Sequence, residues 1–271
     1  MAGLKLLRDD CGVLLPNWLP YNPLLIPLGA VLAARDTVHG PDAGAIRQKL
    51  RQWFWCSTFG QRYENAANSQ ASKDFAELSR WIDGGNPPES ITTFRFDPRV
   101  LRDTTFRQRA VYRGTYALIF AGGQRDHAGR PRDFHADKPL TTEFIREHGV
   151  DDHHIFPYAY LGRQDPPVPT RLRDSILNRT MIHPKTNRMI SDHAPSIYLE
   201  EMKGELDPHQ LYAILDSHLL PVGPDSPLWS DEFERFIAWR QNVIWQEIQR
   251  VTGTSQTEDV VEDLIEEEAT A

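Results

Sequence analysis

The chain is poor in cysteine: only Cys11 and Cys56 occur among 271 residues. Their spacing matches no zinc motif, and two thiols make no disulfide framework, so a reducing cytoplasm is the expected location. Long apolar runs are also missing; none approaches the ~20 residues needed to span a bilayer. The opening "MAGLKLLRDDCGVLL" carries two acids and no small-residue cleavage site behind an apolar core, so neither a signal peptide nor an anchor is expected. No G-x-x-x-x-G-K-[ST] run occurs, which argues against a P-loop nucleotide site. No internal repeat is visible.

Basic residues stop at Arg250. Beyond it lie seven of the 38 acids, Glu258, Asp259, Glu262, Asp263, Glu266, Glu267 and Glu268, so the rest of the chain holds 31 acids against 30 bases. The formal charge of −8 is therefore mostly a tail property, and residues 253–271 are expected to be a disordered or partner-binding tail. Local charge says more. Residues 99–132 hold eight arginines (99, 102, 107, 109, 113, 125, 130 and 132) against Asp103 and Asp126. Such a stripe suits phosphates, or else a solvated face with partners elsewhere in the fold.

What is present is an ordinary globular composition, 40% hydrophobic and 25% charged, long enough to bury a core. The spacing predicts helices over about 24–34 with Pro27 in the first turn, 43–57 with Ile46, Leu50, Trp53 and Phe54 on one face, and 106–121. Another is expected from Ser72 as N-cap to a stop at Gly84 or Gly85. Gly122-Gly123 and "HAGRPRD" then mark a loop. Short strands are expected around 149–156 and 176–183, followed by a short helix after Pro184. Asp207, Pro208 and Gln210 signal a capped helix, with Leu206 and Leu211 as its staple. A last helix is expected from Ser230, with Phe233, Phe236, Ile237, Ile244 and Ile248 as its apolar face. Asn65 and Asn68 read as helix caps, and Trp53-Phe54-Trp55 as core.

The stretch "VDDHHIFPYAYL" at 150–161 gathers Asp151, Asp152, His153 and His154 just before an apolar run. Phosphodiester hydrolysis needs a base to deprotonate water and a cation to stabilise charge on the phosphate. A neutral histidine suits the first role near neutral pH, and oxygen ligands from Asn or Asp suit a hard divalent ion. His183 and His193 nearby read as phosphate contacts or as structural histidines.

"DDHHIFPYAYL" with "DSILNRTMIHPKTNRMISDHAPSIYL" resembles the HNH, or ββα-metal, endonucleases, and within them the nuclease half of GmrSD-type modification-dependent restriction enzymes. His153, His154 and Pro157 match the first-strand pattern, Asn178 the Asn before the second strand, and Asn187 the helix Asn. The resemblance implies His154 as general base, Asn178 as the catalytic group holding His154 in place, and His153 and Asn187 as ligands of one Mg²⁺ or Mn²⁺. The usual first-position Asp is His here, so Asp152 or Asp151 would supply the carboxylate. Arg179, Lys185 and Arg188 would contact the nucleic-acid backbone. The implied fold is mainly α with a small ββα-metal module, α+β overall. It divides into helices over 1–121, the nuclease module over 122–204, C-terminal helices over 205–252, and the tail. The resemblance is strong over about 150–200 and looser over "WFWCSTFGQRYENAANSQASKDF" and "FERFIAWRQNVI". The family's ParB-like domain, with its Asp-Gly-Gln-Gln-Arg sequence, has no counterpart; "FGQRY" at 59–63 is not that motif. The implied function is DNA cleavage in restriction or anti-phage defence, with a ParB-like sensor or NTPase as partner. Helices 1–120 would be its docking surface, since "WLPYNPLLIPL" is unusually apolar. The alternative is a non-catalytic subunit that binds DNA or docks a sensor.

Overall fold

The computed structural model describes residues 2–35, 40–122, 130–134 and 137–254. It is mainly helical with one small antiparallel sheet. In chain order the helices are α1 (Ala2–Asp10), α2 (Leu25–Ala34), α3 (Ala43–Phe59), α4 (Ala67–Ile82) and the single turns α5 (Glu89–Thr92) and α6 (Val100–Asp103). Then come α7 (Arg109–Phe120) and α8 (Thr142–His148), the short α9 (Tyr158–Gly162) and α10 (Thr170–Arg173), and α11 (Pro184–Ile190). Three more close the chain: α12 (Pro195–Glu205), α13 (Pro208–Ser217) and α14 (Phe233–Thr252). Strands β1 (Asp151–His154) and β2 (Arg179–Ile182) pair antiparallel, with His153 opposite Thr180 and His154 opposite Arg179.

Helix α3 is the central element. Its last turns, Trp53 to Phe59, are buried on every side, as expected of a helix surrounded by others. It packs against α4, α7 and α14. The approach of α7 depends on Gly114, where a Cβ would stand 2.6 Å from the Thr58 methyl. Any side chain there would force the two helices apart. The predicted face of α14 is buried at Phe233, Phe236, Ile237, Ile244 and Ile248. Buried apolar side chains from Leu6 to Ile248 form one contiguous core.

Several local expectations hold. Helix α2 has Pro27 in its first turn, and α4 stops at Gly84, whose φ of +95° suits glycine, with the Gly85 amide closing onto the Arg80 carbonyl at 2.8 Å. The α13 capping box is complete: Asp207 accepts from the His209 and Gln210 amides, and Gln210 accepts from the Asp207 amide. Asp207→Ala is expected to cost about 1 kcal/mol, read as a lower urea midpoint at unchanged slope. An unmoved midpoint would show that packing alone holds α13.

Other expectations are corrected. Ser72 is not a cap; α4 begins five residues earlier, and the Ser72 hydroxyl bonds back to the Asn68 carbonyl at 3.3 Å. The second strand starts only at Arg179, because Ile176–Asn178 forms a 3₁₀ turn capped by Ser175. Ser230 does not start α14. Asp231 instead turns away and caps α12, accepting from the Ser196 amide at 2.9 Å and hydroxyl at 2.6 Å. Helices α1, α8 and α12 were not anticipated. The apolar N-terminal run is largely spent inward: Leu19, Leu24 and Leu28 are buried, while Leu25 and Ile26 stay exposed. Gly123, Arg125 and Asp126, residues 127–129 of the "HAGRPRD" loop and residues 255–271 of the acidic tail lie outside the described residues. None of the described helices is long and apolar enough to cross a membrane.

Candidate functional site

The β1–β2 ribbon followed by α11 brings the notable side chains together. Alternation along β1 sorts them onto two faces. Asp151 and His153 share one face, and Asp152 and His154 share the other.

On the first face His153 Nδ1 lies 2.7 Å from Asn187 Oδ1, and Asn187 Nδ2 donates to Asp151 at 2.9 Å. Two buried contacts aim Asn187. The Asp133 carboxylate accepts from the His183 amide (2.9 Å) and the Thr186 hydroxyl (3.0 Å), fastening the first turn of α11 beneath the ribbon. His183 caps that helix, accepting at Nδ1 from the Lys185 amide at 3.0 Å, which gives it a structural role. His153 is 3% exposed, and burial pushes its pKa down to about 4, so the ring is neutral at physiological pH. Its Nε2 is buried without a hydrogen-bond partner among the described residues.

The donor set of Asp151, His153 and Asn187 suits a divalent ion in type, two oxygens and one neutral nitrogen. Adjacent donors on such an ion sit about 3 Å apart, given bonds of ~2.0–2.3 Å. The 2.7 Å separation of His153 and Asn187 needs little adjustment to meet that. Among the described residues no three His, Cys, Asp or Glu side chains gather as a metal cluster. An ion here would therefore depend on the Asn187 carbonyl.

On the second face His154 Nε2 meets Asp174 at 2.9 Å. Burial lowers the His154 pKa most and nearby Arg179 adds to it, while Asp174 opposes both. Asp152 is fully engaged: Tyr112 and Tyr116 both donate to its carboxylate, the latter at 2.5 Å, and Arg179 lies 3.4 Å away. Burial, with the Asp152 charge beside them, pushes both phenols up. Asp152 is therefore not on the His153 face, and the carboxylate there is Asp151. Arg179 is not an open phosphate contact either. Its side chain is 13% exposed and bonds Asp174 at 2.8 Å and the Asp152 carbonyl at 3.1 Å. Lys185 and Arg188 are exposed on α11, without ion-pair partners among the described residues. His193 is exposed beside Glu201.

Asn178 sits beneath the bend after β1 with no exposed surface. Its Oδ1 accepts from the Phe156 amide at 2.9 Å, and its Nδ2 donates to the Phe156 and Arg173 carbonyls at 3.0 Å each. It grips the backbone two residues past His154 rather than His154 itself, which makes it a positioning residue. β1 stays regular through His154, so the bend does not turn the two histidines to one side.

Sequence reading missed Asp174, Tyr112, Tyr116 and Asp133. Asp174 lay in the quoted "DSILN", four residues before Asn178, and the tyrosines were visible as an i, i+4 aromatic pair. It also missed His218, which ties β2 to the C-terminal helices. Thr180 Oγ1 lies 2.6 Å from its Nδ1, and its Nε2 lies 2.7 Å from the Arg132 carbonyl. Nε2 donates to that carbonyl, and burial pushes the ring's pKa down from 6.5 to about 4, which leaves Nδ1 unprotonated at neutral pH to accept from the Thr180 hydroxyl. Below pH 6.5 the unfolded chain takes a proton here that the folded chain refuses. Stability should then fall from about pH 6.5 toward pH 4, by up to ~1.4 kcal/mol per pH unit for this one group. Urea titrations through that window should show the loss, and His218→Gln should reduce its slope, leaving the part that buried His153 contributes over the same pH range. An equally steep fall in the variant would assign the effect elsewhere.

The arginine stripe resolves mostly into structural pairs. Arg102 binds Glu234, Arg130 lies near Asp9, Arg132 binds Asp137, and Arg113 donates to the Leu19 carbonyl. Arg107 and Arg109 remain exposed without such partners among the described residues.

Comparison with known proteins adds one relative. The chain is 29% identical over 257 residues to an uncharacterized protein of Methanocaldococcus jannaschii, an alignment covering 86% of this chain. The chain spans 41% of that protein's length. No family model matches, and no solved structure matches.

Proposed function

We propose that this chain is a metal-dependent DNA endonuclease of the HNH, or ββα-metal, kind. The observation that carries the reading is the contact between His153 on β1 and Asn187 on α11, 2.7 Å apart and joined to Asp151. A strand pair and a short helix thus converge three potential ligands, while the adjacent residue, His154, holds a carboxylate partner on the other face. Asp151, His153 and Asn187 would hold Mg²⁺ or Mn²⁺, which when bound supplies charge stabilisation at the phosphate and leaving oxygen. His154 is the base. With Nε2–H donated to Asp174, Nδ1 is the nitrogen left to take a proton from water. Lys185 and Arg188 offer cationic contacts to the backbone, which orient without reading sequence. The resemblance of residues 150–200 extends the proposal to restriction or anti-phage defence. Discrimination of the target would then come from a ParB-like domain or partner outside the described residues.

The test is incubation of the pure chain with supercoiled plasmid and Mg²⁺ or Mn²⁺, with and without chelator. Relaxed or linear product is expected with either ion, at least as fast with Mn²⁺ because a nitrogen ligand favours it. Full activity in excess chelator would overturn the metal requirement. A second reading, a non-catalytic DNA-binding or docking subunit, draws on the missing His/Cys/Asp/Glu cluster among the described residues. Plasmid binding without cleavage under any of these ions would favour it.

A further inference from the structure

On the Asp152–His154 side of the ribbon lies a cavity of about 380 Å³, between the N-terminal half of α7 and the turn that carries Trp18. Its floor is Tyr112 and Tyr116, the two phenols that bond Asp152, together with Met181 of β2. Met181 faces the same side as Asp152, its partner in the strand register.

The upper wall has the wrong chemistry for an idle surface. Arg109 and Arg113 stand one helical turn apart, and like charges at that spacing destabilise a helix. No carboxylate lines the cavity among the described residues. Asp152, bonded to the two floor tyrosines, is already engaged by both phenols and by Arg179. Arg113 is anchored to the Leu19 carbonyl at 2.9 Å, and its pKa is lowered by burial and by Arg109. Among the described residues the pair therefore lacks a carboxylate ion-pair partner. Beside it stands Phe106, 62% exposed, more than any other large apolar side chain among the described residues. Trp18 is half-buried at the opposite edge and braced against Phe120 at 5.2 Å.

We infer that this cavity is a subsite for one unstacked nucleotide of the substrate strand, its phosphate held by Arg109 and Arg113 and its base lying against Phe106 and Trp18. Paired cationic forks suit a phosphate, and an exposed aromatic face suits any base. The volume lies at the small end of ligand pockets, enough for one nucleotide and not for a duplex. The inference rests on the nuclease reading for the identity of the ligand. It adds that the strand is gripped through a single-stranded unit on the His154 face, and that Phe106 and Arg109 are binding residues.

The experiment measures binding of a short labelled oligothymidylate by fluorescence anisotropy, in chelator and at one salt concentration. An abasic strand of the same length and a duplex serve as controls. Phe106 and Arg109 are exposed, so Phe106→Ala and Arg109→Ala should fold normally. Phe106→Ala is expected to weaken oligothymidylate binding about tenfold and to leave the abasic strand unchanged. Arg109→Ala is expected to weaken both single strands. Wild-type binding by both variants would overturn the subsite. So would an equal loss on oligothymidylate and abasic strand in Phe106→Ala, because no base would then be stacked. Displacement of the oligonucleotide by an acidic, tyrosine-rich peptide more readily than by thymidine monophosphate would assign the cavity to a protein partner instead. Because chelator is present throughout, a chain that never cuts plasmid yet shows the Phe106 effect would lose the nuclease reading and keep the subsite.

Discussion

His154→Ala is expected to lower metal-dependent plasmid cleavage by ~10²–10⁴-fold, the usual cost of removing a general base. DNA affinity should be largely unchanged. The side chain is not part of the core: it is partly exposed, 20% at the side chain, and among the described residues its polar contact is to Asp174. Truncation therefore removes the proton acceptor without opening a cavity. Asp174 acts through His154 and holds its pKa up, so Asp174→Ala should lower kcat by less and move the acid limb of the kcat–pH profile to lower pH, whereas a folding defect would lower kcat equally at every pH and leave the profile in place. His153→Ala addresses the opposite face, and its loss should be offset in part by raising the Mn²⁺ concentration. A His154→Ala protein that still cuts at near wild-type rate would remove this residue from the chemistry and shift attention to the Asp151–His153–Asn187 face.

Asn178→Ala is expected to destabilise the fold by about 3 kcal/mol, since each buried polar group left unpaired costs ~1–3 kcal/mol. The substitution strands three groups at once: the Phe156 amide, the Phe156 carbonyl and the Arg173 carbonyl. Nothing else in a fully buried position can replace them, and the bend they support leads directly out of β1. Asn178→Asp should fare little better, because a carboxylate keeps the acceptor for the Phe156 amide but loses the donors for two carbonyls. Chemical denaturation at neutral pH reads both. An alanine variant within about 1 kcal/mol of wild type would mean that water or a backbone shift satisfies the bend, and Asn178 would then be no more than a tolerated contact.

Much of the local structure was legible because its causes lie within a few residues. Asp207, Pro208 and Gln210 form a complete cap by themselves, and the buried side of α14 follows from its 3.6-residue period. The failures share a cause as well. Ser230-Asp231-Glu232 has a convincing helix-start composition, yet Asp231 is taken by the amide and hydroxyl of Ser196 across the fold. Ser72 has a cap residue's chemistry, but α4 already surrounds it.

The same division runs through the candidate site. The sequence alone was enough to single out His153, His154, Asn178 and Asn187, and to expect two short strands and a helix around them. It also held the alternation that pairs Asp151 with His153, a consequence of strand geometry alone. Only the tertiary structure decided the partners. Asp174 reaches His154 across 20 residues of sequence, and Tyr112 and Tyr116 reach Asp152 across about 40, which engages Asp152 on the face opposite His153 and closes Arg179 to solvent. The physical reason is one of range. Propensity, capping and periodicity act over a turn or two of chain, whereas the pairing of a carboxylate depends on which remote surfaces the core brings against it.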